Sequence, residues 1–282
     1  MKIKLVIPIL LMGLMSFSSS NLEKQPTKLM LQNGFVEIPS GKVFIESKQT
    51  EVGGFFIAKH EVTNQSYNEF LVDLSKDSPG EALHAQIQAQ NWGLINVPEG
   101  MMDKYHTYTG FKNFPVVNVS YEGATMYCKW LEAKIAKDVE GYKVERRLPT
   151  KQEWIRAARG EKLLKYSWEH PYLMNAEGRY LCNFRKLGSE HIHFNQDSKQ
   201  YEVVSEYDGP DATLTTVVGA YQPNEFGVFD MCGNVAEMIS KNGIAVGGHF
   251  NSTGYDVRVE SSQTYEEASP LVGFRPVIVL KK

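Results

Sequence analysis

The chain has 282 residues, of which 42% are hydrophobic and 22% are charged, and its formal net charge is −3. This composition is ordinary for a globular protein, and a chain of this length can bury roughly 75% of its unfolded surface as one large domain. Its Lys and Arg residues are scattered, which argues against nucleic acid or an anionic membrane as a partner.

The N-terminal residues have the layout of an export signal. Two lysines precede an apolar run from Leu5 to Met15, and the small, polar stretch Ser16 to Asn21 follows. This order is typical of a secretory signal peptide, and the run is too short to span a bilayer. A lipid-anchored leader would need a cysteine just after the run, whereas the first cysteine is Cys128. We therefore expect residues 1–20 to be a signal peptide and the mature protein to lie in the periplasm, the cell envelope or the medium.

The first elements that the sequence predicts are strands. Apolar and small residues alternate from Phe35 to Ile45, which favours a hairpin around Ser40 and Gly41. A further strand is expected from Phe55 to Lys59.

Three helices follow, each with a capping residue before it. Thr63 precedes a helix at 64–74, Ser120 precedes one that ends near Lys137, and Thr150 with Glu153 forms a capping box for a helix at 151–159. The irregular stretch from Ser75 to Phe114 is predicted to be a surface excursion. After Glu161 helical periodicity disappears, and we expect a single domain at 33–282.

Five blocks in this order resemble the formylglycine-generating enzyme family, also called sulfatase-modifying factor domains. They are EVTNQSYNEF (61–70), FPVVNVSYEGATMYCKWL (114–131), RRLPTKQEWIRAARG (146–160), PNEFGVFDMCGNVAEM (223–238) and VGFRPV (272–277). The resemblance implies an α+β fold that is related to C-type lectins, has little regular secondary structure and is held together by bound calcium.

A calcium site is expected in the fourth block. Calcium prefers six to eight oxygen ligands, and Asp230 and Glu237 can supply side-chain oxygens, with the carbonyls of Gly233 and Val235 between them. The resemblance places one calcium on these four positions. The alternative is that the two acidic side chains only cap turns.

The resemblance also implies a second, weaker calcium site. It maps onto Asn183, the carbonyl of Phe184, Asp208 and the carbonyl of Pro210. The segment around Asp208 is longer than the family pattern, and turn capping is again the alternative.

The activity of the resembled family depends on two cysteines that follow a glycine pair and bind copper(I), whose softness matches thiolate ligands. Here the glycine pair is Gly247 and Gly248, and the last cysteine of the chain is Cys232. We therefore expect no copper and no formylglycine generation.

Two functions stay open at this point. One is a non-catalytic, calcium-stabilised component of the cell envelope that binds an envelope protein, a peptide or a glycan. Some members of the resembled family in gliding-motility and type IX secretion machinery are of this kind. The other is an oxidoreductase-type enzyme with an altered site around His249, with Tyr255, Asp256 and Arg258 in a possible pocket.

Overall fold

The computed structural model describes residues 27–95, 97, 100–135, 141–186, 192–203 and 214–281. Its strands are β1 (Phe35–Ile38), β2 (Gly41–Ile45), β3 (Lys48–Val52), β4 (Phe55–Ala58), β5 (Lys143–Arg147), β6 (Ile192–Asn195), β7 (Gln200–Val203), β8 (Ala236–Met238), β9 (Ile244–Val246), β10 (Ser262–Thr264), β11 (Val272–Gly273) and β12 (Val277–Lys281). Its α-helices are α1 (Asn64–Asp77), α2 (Pro79–His84), α3 (Met101–Lys104), α4 (Tyr121–Ile135) and α5 (Lys151–Arg159), with 3₁₀ turns at Ala89–Leu94 and Thr109–Phe111.

The strands form two small sheets and two separate hairpins. One sheet has the order β1-β4-β12-β5, the other has the order β10-β9-β8-β11, and β2 pairs with β3 as β6 does with β7. In the second sheet β8 lies between antiparallel β9 and parallel β11. The predicted signal peptide at residues 1–20 lies outside the described residues.

The predicted hairpin around Ser40 and Gly41 was wrong. β1 pairs with β4, whereas β2 turns back onto β3. The two-residue connection between β2 and β3 is Glu46 and Ser47, and both have positive φ angles, of 49° and 66°. Positive φ at both positions gives the twist that a two-residue hairpin needs, so the tight turn lies there. The predicted strand at Phe55 to Lys59 is confirmed as β4.

The predicted helix starts are confirmed, and a local hydrogen bond to the capping side chain fixes each one. The Ser66 N–H donates to the Thr63 hydroxyl at the start of α1, at 3.2 Å. Thr150 and Glu153 form the expected reciprocal capping box at α5, and Gly160 ends that helix with a φ of 64°. Beyond α5, no described residue is helical.

The stretch from Ser75 to Phe114 is not a surface excursion, as the sequence had predicted. Trp92 and Tyr105 are fully buried within it and pack with Val235 and Phe250 from the C-terminal part of the chain. The Trp92 indole N–H donates to His106 Nε2 at 3.2 Å. Buried aromatic side chains with satisfied polar atoms therefore anchor a segment whose Gly and Pro content had indicated a loop.

Helix α5 lies at the centre of the main hydrophobic core. Trp154, Ile155, Ala157 and Ala158 are completely buried. In the part of the chain that is described, each helix is too short or too polar to cross a bilayer. The core around α5 is the surface against which the candidate site is built.

Candidate functional site

The loop predicted to bind calcium has an unusual backbone. Asp230, Gly233 and Asn234 have positive φ angles of 54°, 77° and 63°. A Cβ atom on Gly233 would collide with the carbonyl oxygen of Asn183, so only glycine fits there. The Gly233 N–H also donates to the Gly247 carbonyl at 2.8 Å, which ties this loop to the glycine pair.

Glu237 is held by three hydrogen bonds at the end of this loop. It lies on β8, opposite Gly273 of β11, and Arg275 follows two residues later. Arg275 donates through Nε to Oε2 and through an Nη to Oε1, both at 2.7 Å, and the Trp154 indole donates to Oε2 at 2.8 Å. This bidentate, buried ion pair joins the loop, α5 and the C-terminal strands.

Arg275 also holds three backbone carbonyls. It is completely buried, and its Nη atoms donate to the carbonyl oxygens of Ala58, Lys59 and Phe229 at 2.9–3.3 Å. A guanidinium with this many partners is a structural clamp, because its donors hold oxygens that belong to separate segments of the chain.

Glu61 and Asp230 are less well satisfied than Glu237. Both are buried, and among the described residues neither Glu61 Oε2 nor Asp230 Oδ1 has a hydrogen-bond partner. The other oxygens do have partners: Glu61 Oε1 accepts from Asn234 at 2.9 Å and Asp230 Oδ2 accepts from the Gly219 N–H at 2.5 Å. Burial raises the pKa of both carboxyl groups, and each is raised further by neighbouring carboxylates.

The charges in this cluster do not balance. Three buried carboxylates, those of Glu61, Asp230 and Glu237, face one guanidinium, that of Arg275, whose Nη2 lies 3.8 Å from Glu61 Oε2. When all three acids are ionised, two negative charges stay uncompensated, and a divalent cation would neutralise them.

The residues of this cluster fit calcium, with a different distribution of ligands from the predicted one. The unpartnered oxygens are on Asp230 and Glu61, whereas Glu237 keeps only part of its lone-pair capacity on Oε1. Among the described residues, no three His, Cys, Asp or Glu side chains are arranged as a metal centre by themselves. Backbone carbonyls, such as those predicted at Gly233 and Val235, would be needed to complete a shell.

The second predicted calcium site is described only in part. Asp208 and Pro210 lie outside the described residues. Asn183 and Phe184 are both buried. The side-chain amide of Asn183 donates to the Leu214 carbonyl at 2.6 Å, and the backbone carbonyl of Asn183 accepts from the Asn234 N–H at 2.8 Å. Asn183 therefore braces the first loop, and a second calcium stays a prediction.

The four residues of the predicted pocket come together after the glycine pair. Two adjoining cavities there share Asp256, Ser261 and Ser262, and we call them the 249–263 groove. His249 and Asp256 line the smaller cavity, of about 200 Å³. Tyr255, Asp256 and Arg258 line the larger one, of about 460 Å³.

His249 is a poor candidate for proton transfer in this groove. Its Nδ1 already accepts a hydrogen bond from the Asn251 N–H at 3.1 Å. Burial lowers the pKa of His249 to about 4, so the imidazole is neutral at pH 7. Asp256 accepts from the Thr253 hydroxyl at 2.7 Å.

Sequence reasoning missed several residues of both regions. Glu61 stands in the first family block and Arg275 in the last, but neither was assigned to the calcium cluster. Lys165 lines the larger cavity together with Arg258. No local pattern marks these contacts, because their partners lie far away along the chain.

Comparison with known proteins identifies the family. The family described as "Sulfatase-modifying factor enzyme 1-like domain" matches residues 15–280, so the chain belongs to it. It is 31% identical over 133 residues to the formylglycine-generating enzyme of Streptomyces coelicolor, which covers 47% of this chain and 33% of that protein. The chain thus spans about a third of that relative's length.

Two further comparisons concern a relative and a solved structure. The mouse protein named "Inactive C-alpha-formylglycine-generating enzyme 2" is 24% identical over 235 residues, which is 76% of this chain and 64% of that protein. The crystal structure of CarF superposes with a TM-score of 0.56 at 20% identity, over 86% of this chain and 97% of CarF. This likeness confirms the predicted α+β formylglycine-generating-enzyme fold.

Proposed function

We propose that this protein is an exported, non-catalytic member of the family that acts as a calcium-stabilised binding or structural component of the cell envelope. The observation that carries the non-catalytic part of the proposal is the lack of any cysteine from Gly233 to Lys282. Copper(I) is a soft ion that is selected by thiolate ligands. The segment after the glycine pair therefore does not fit the copper of the family's active members.

The three cysteines that the chain does have are not substitutes. Cys128, Cys182 and Cys232 are all buried and unpaired. Burial raises the pKa of Cys128 and of Cys232 to about 12, and it raises the pKa of Cys182 as well. Thiols with such pKa values stay protonated at neutral pH, and only the thiolate is a strong copper ligand or nucleophile.

The calcium part of the proposal rests on the buried acid cluster. Asp230 and Glu61 would supply the unpartnered carboxylate oxygens, Gly233 and Val235 would supply carbonyls, and Glu237 would add its remaining lone pair. Bound calcium would neutralise the two uncompensated negative charges of the cluster. Glu237 would keep its hydrogen bonds to Arg275 and Trp154.

The names of two relatives support a non-catalytic role. The mouse relative and a bovine one, which is 30% identical over 126 residues, are both named as inactive formylglycine-generating enzymes. For export, the support is the signal-like order of charged, apolar and small residues at the N-terminus.

A peptide assay tests the absence of activity. The purified protein would be incubated with copper and a cysteine-containing sulfatase peptide, beside an active formylglycine-generating enzyme as the positive control. We expect the peptide mass to stay unchanged with this protein and to show the aldehyde only in the control. An aldehyde product from this protein would overturn the proposal.

The altered-enzyme alternative has one observation in its favour, which is that His249 and Asp256 line the same cavity. Metal analysis of protein purified under mild conditions separates the two functions. Calcium alone agrees with the binding role, whereas stoichiometric iron or copper, lost in a His249→Gln variant, would favour the enzyme.

Export is tested by fractionating native cells and sequencing the N-terminus of the protein. We expect a protein without residues 1–20 in the envelope or culture fraction. An uncleaved protein in the cytosol would count against export.

A further inference from the structure

The larger cavity of the 249–263 groove has a guanidinium that is already held in place. The Arg258 guanidinium carbon lies 3.3 Å from the centre of the Tyr255 ring. Its Nε donates to the Tyr255 carbonyl at 2.9 Å, and the Ser261 hydroxyl donates to the same carbonyl at 3.1 Å. Stacking and the Nε bond fix the plane of the side chain and leave its two Nη groups available to a ligand.

The two carboxylates that line the groove have hydrogen-bond partners within it. Glu260 accepts from Arg159 at 2.6 Å, and these two charges cancel. Asp256 accepts from the Thr253 hydroxyl. Within the described part of the chain, no carboxylate lies within salt-bridge distance of Arg258 or of Lys165, the other cation of the larger cavity.

The groove is therefore locally positive on a chain that is negative overall. The residues of the larger cavity include the cations Arg159, Lys165 and Arg258 and the anions Asp256 and Glu260, a balance of +1, whereas the whole chain carries −3. A cleft lined by an excess of positive charge raises the local concentration of anionic groups. A planar guanidinium pairs with a carboxylate through two parallel hydrogen bonds.

The floor of the groove ends in a free strand edge. Ser262 lines both cavities and Gln263 lines the smaller one, and both belong to β10. β10 is the outer strand of its sheet and pairs only with β9 among the described strands. An edge strand presents backbone N–H and C=O groups to an added strand.

The rim of the larger cavity adds apolar surface. Leu163 and Tyr255 are 73% and 67% exposed there. Exposed apolar side chains beside an edge strand suit the alternating side chains of an extended peptide.

We propose that the 249–263 groove binds an extended acidic peptide segment, which adds to the β10 edge and places a carboxylate on Arg258 with support from Lys165. This inference rests on the proposed binding function and names its ligand. The side chains that flank the carboxylate along the peptide would contact Leu163 and Tyr255.

Fluorescence anisotropy with designed peptides tests this proposal on the full mature protein. The probe is a labelled, end-blocked heptapeptide of alternating Glu and Val. One matched peptide replaces Glu by Gln, and another carries N-methyl groups on alternate residues, which remove backbone donors without changing charge. A diglucuronate disaccharide serves as a competitor with carboxylates but no peptide backbone.

The variants separate charge from geometry. We expect Arg258→Gln to weaken binding of the Glu peptide at least tenfold, Arg258→Lys to weaken it less because the charge remains, and Lys165→Gln to weaken it about threefold. Lys48→Gln removes an exposed cation on the β2–β3 hairpin and should leave the affinity unchanged. Thermal melting of each variant confirms that it is folded.

Several outcomes would overturn the proposal. Equal binding of the Glu and Gln peptides would exclude the carboxylate contact, and equal binding of the N-methylated peptide would exclude addition to β10. Tight, Arg258-dependent binding of the disaccharide with no peptide binding would assign the groove to glycans. The proposed function is tested separately, by the mass of the sulfatase peptide. Failure of this inference is therefore distinct from failure of the proposed function.

Discussion

The buried acid cluster and the 249–263 groove are neighbours along the chain, yet they differ in how far their polar groups are engaged. In the cluster, Arg275 is 0% exposed, and all its N–H groups donate to Glu237 or to backbone carbonyls. In the groove, Arg258 donates through Nε alone to the described part of the protein and stacks on the exposed Tyr255 ring. The same side-chain type is a clamp in one region and an open contact in the other.

The difference indicates that the buried acid cluster stabilises the fold, whereas the groove has polar groups that a ligand could contact. Breaking a buried ion pair leaves a charge in a low-dielectric site, so the cost falls on folding. A partly exposed guanidinium such as that of Arg258 contributes little to stability, so changing it affects mainly binding. Variants in the two regions should therefore have different consequences.

The largest effect is expected from Arg275→Met. This change leaves Glu237 and its neighbours buried without a cation, and it should destabilise the fold by about 3–5 kcal/mol. Urea unfolding followed by tryptophan fluorescence measures the loss. The double variant Arg275→Met/Glu237→Gln removes the orphaned charge and should recover part of it.

The matched control for that experiment is Lys162→Met. Lys162 bridges Glu169 and Glu225 on the surface with two bonds of 2.7 Å. Its loss should leave the unfolding midpoint unchanged because exposed ion pairs are screened by water. A similar loss from both variants would contradict the view that Arg275 is the clamp.

The second effect concerns calcium. At a calcium concentration 100 times its Kd, the wild type should gain about 2.7 kcal/mol, seen as a higher Tm. Asp230→Asn and Glu61→Gln should lose this gain, whereas Asp256→Asn, a carboxylate change in the groove, should keep it. Without calcium, Glu61→Gln should be at least as stable as the wild type, because it removes one of three crowded negative charges.

The calcium prediction has a clear contrary result. If Asp230→Asn responds to calcium as the wild type does, the cluster is not the site. If Asp256→Asn loses the response as well, the stabilisation does not come from the cluster alone.

The smallest effect is a pH dependence at His249. Burial lowers its pKa to about 4, so between pH 6.5 and 4 the unfolded chain binds a proton that the folded protein does not. Stability contributed by the neutral ring is thus present above pH 6.5 and lost as the pH falls to 4. We expect a loss of about 1–2 kcal/mol over this range after allowing for partial exposure.

The measurement is the difference between wild type and His249→Gln in urea unfolding at pH 7 and pH 4.5. Subtraction is needed because burial also lowers the pKa of His60 and of His106. If the wild type and His249→Gln lose the same stability between pH 7 and pH 4.5, His249 is not a buried neutral histidine.

Some features of the fold were readable from short segments. The caps at Thr63 and Thr150 join residues three positions apart, so the sequence that contains them also contains their partners. The hairpin at Ser40 was misassigned because alternation is the same whichever strand is the partner. The turn at Glu46 and Ser47 carries positive φ without glycine, so its usual signal was missing.

The sequence by itself determined the family, the positions of the helix caps and the cysteine-free C-terminal segment. Each of these depends on residue identity and order alone. Only the tertiary structure decided which charges meet: Glu237 and Trp154 are 83 residues apart, and Asn234 and Glu61 are 173 apart. Such pairs form only when burial of the core brings distant segments together, and a single sequence carries no local signal of that closure.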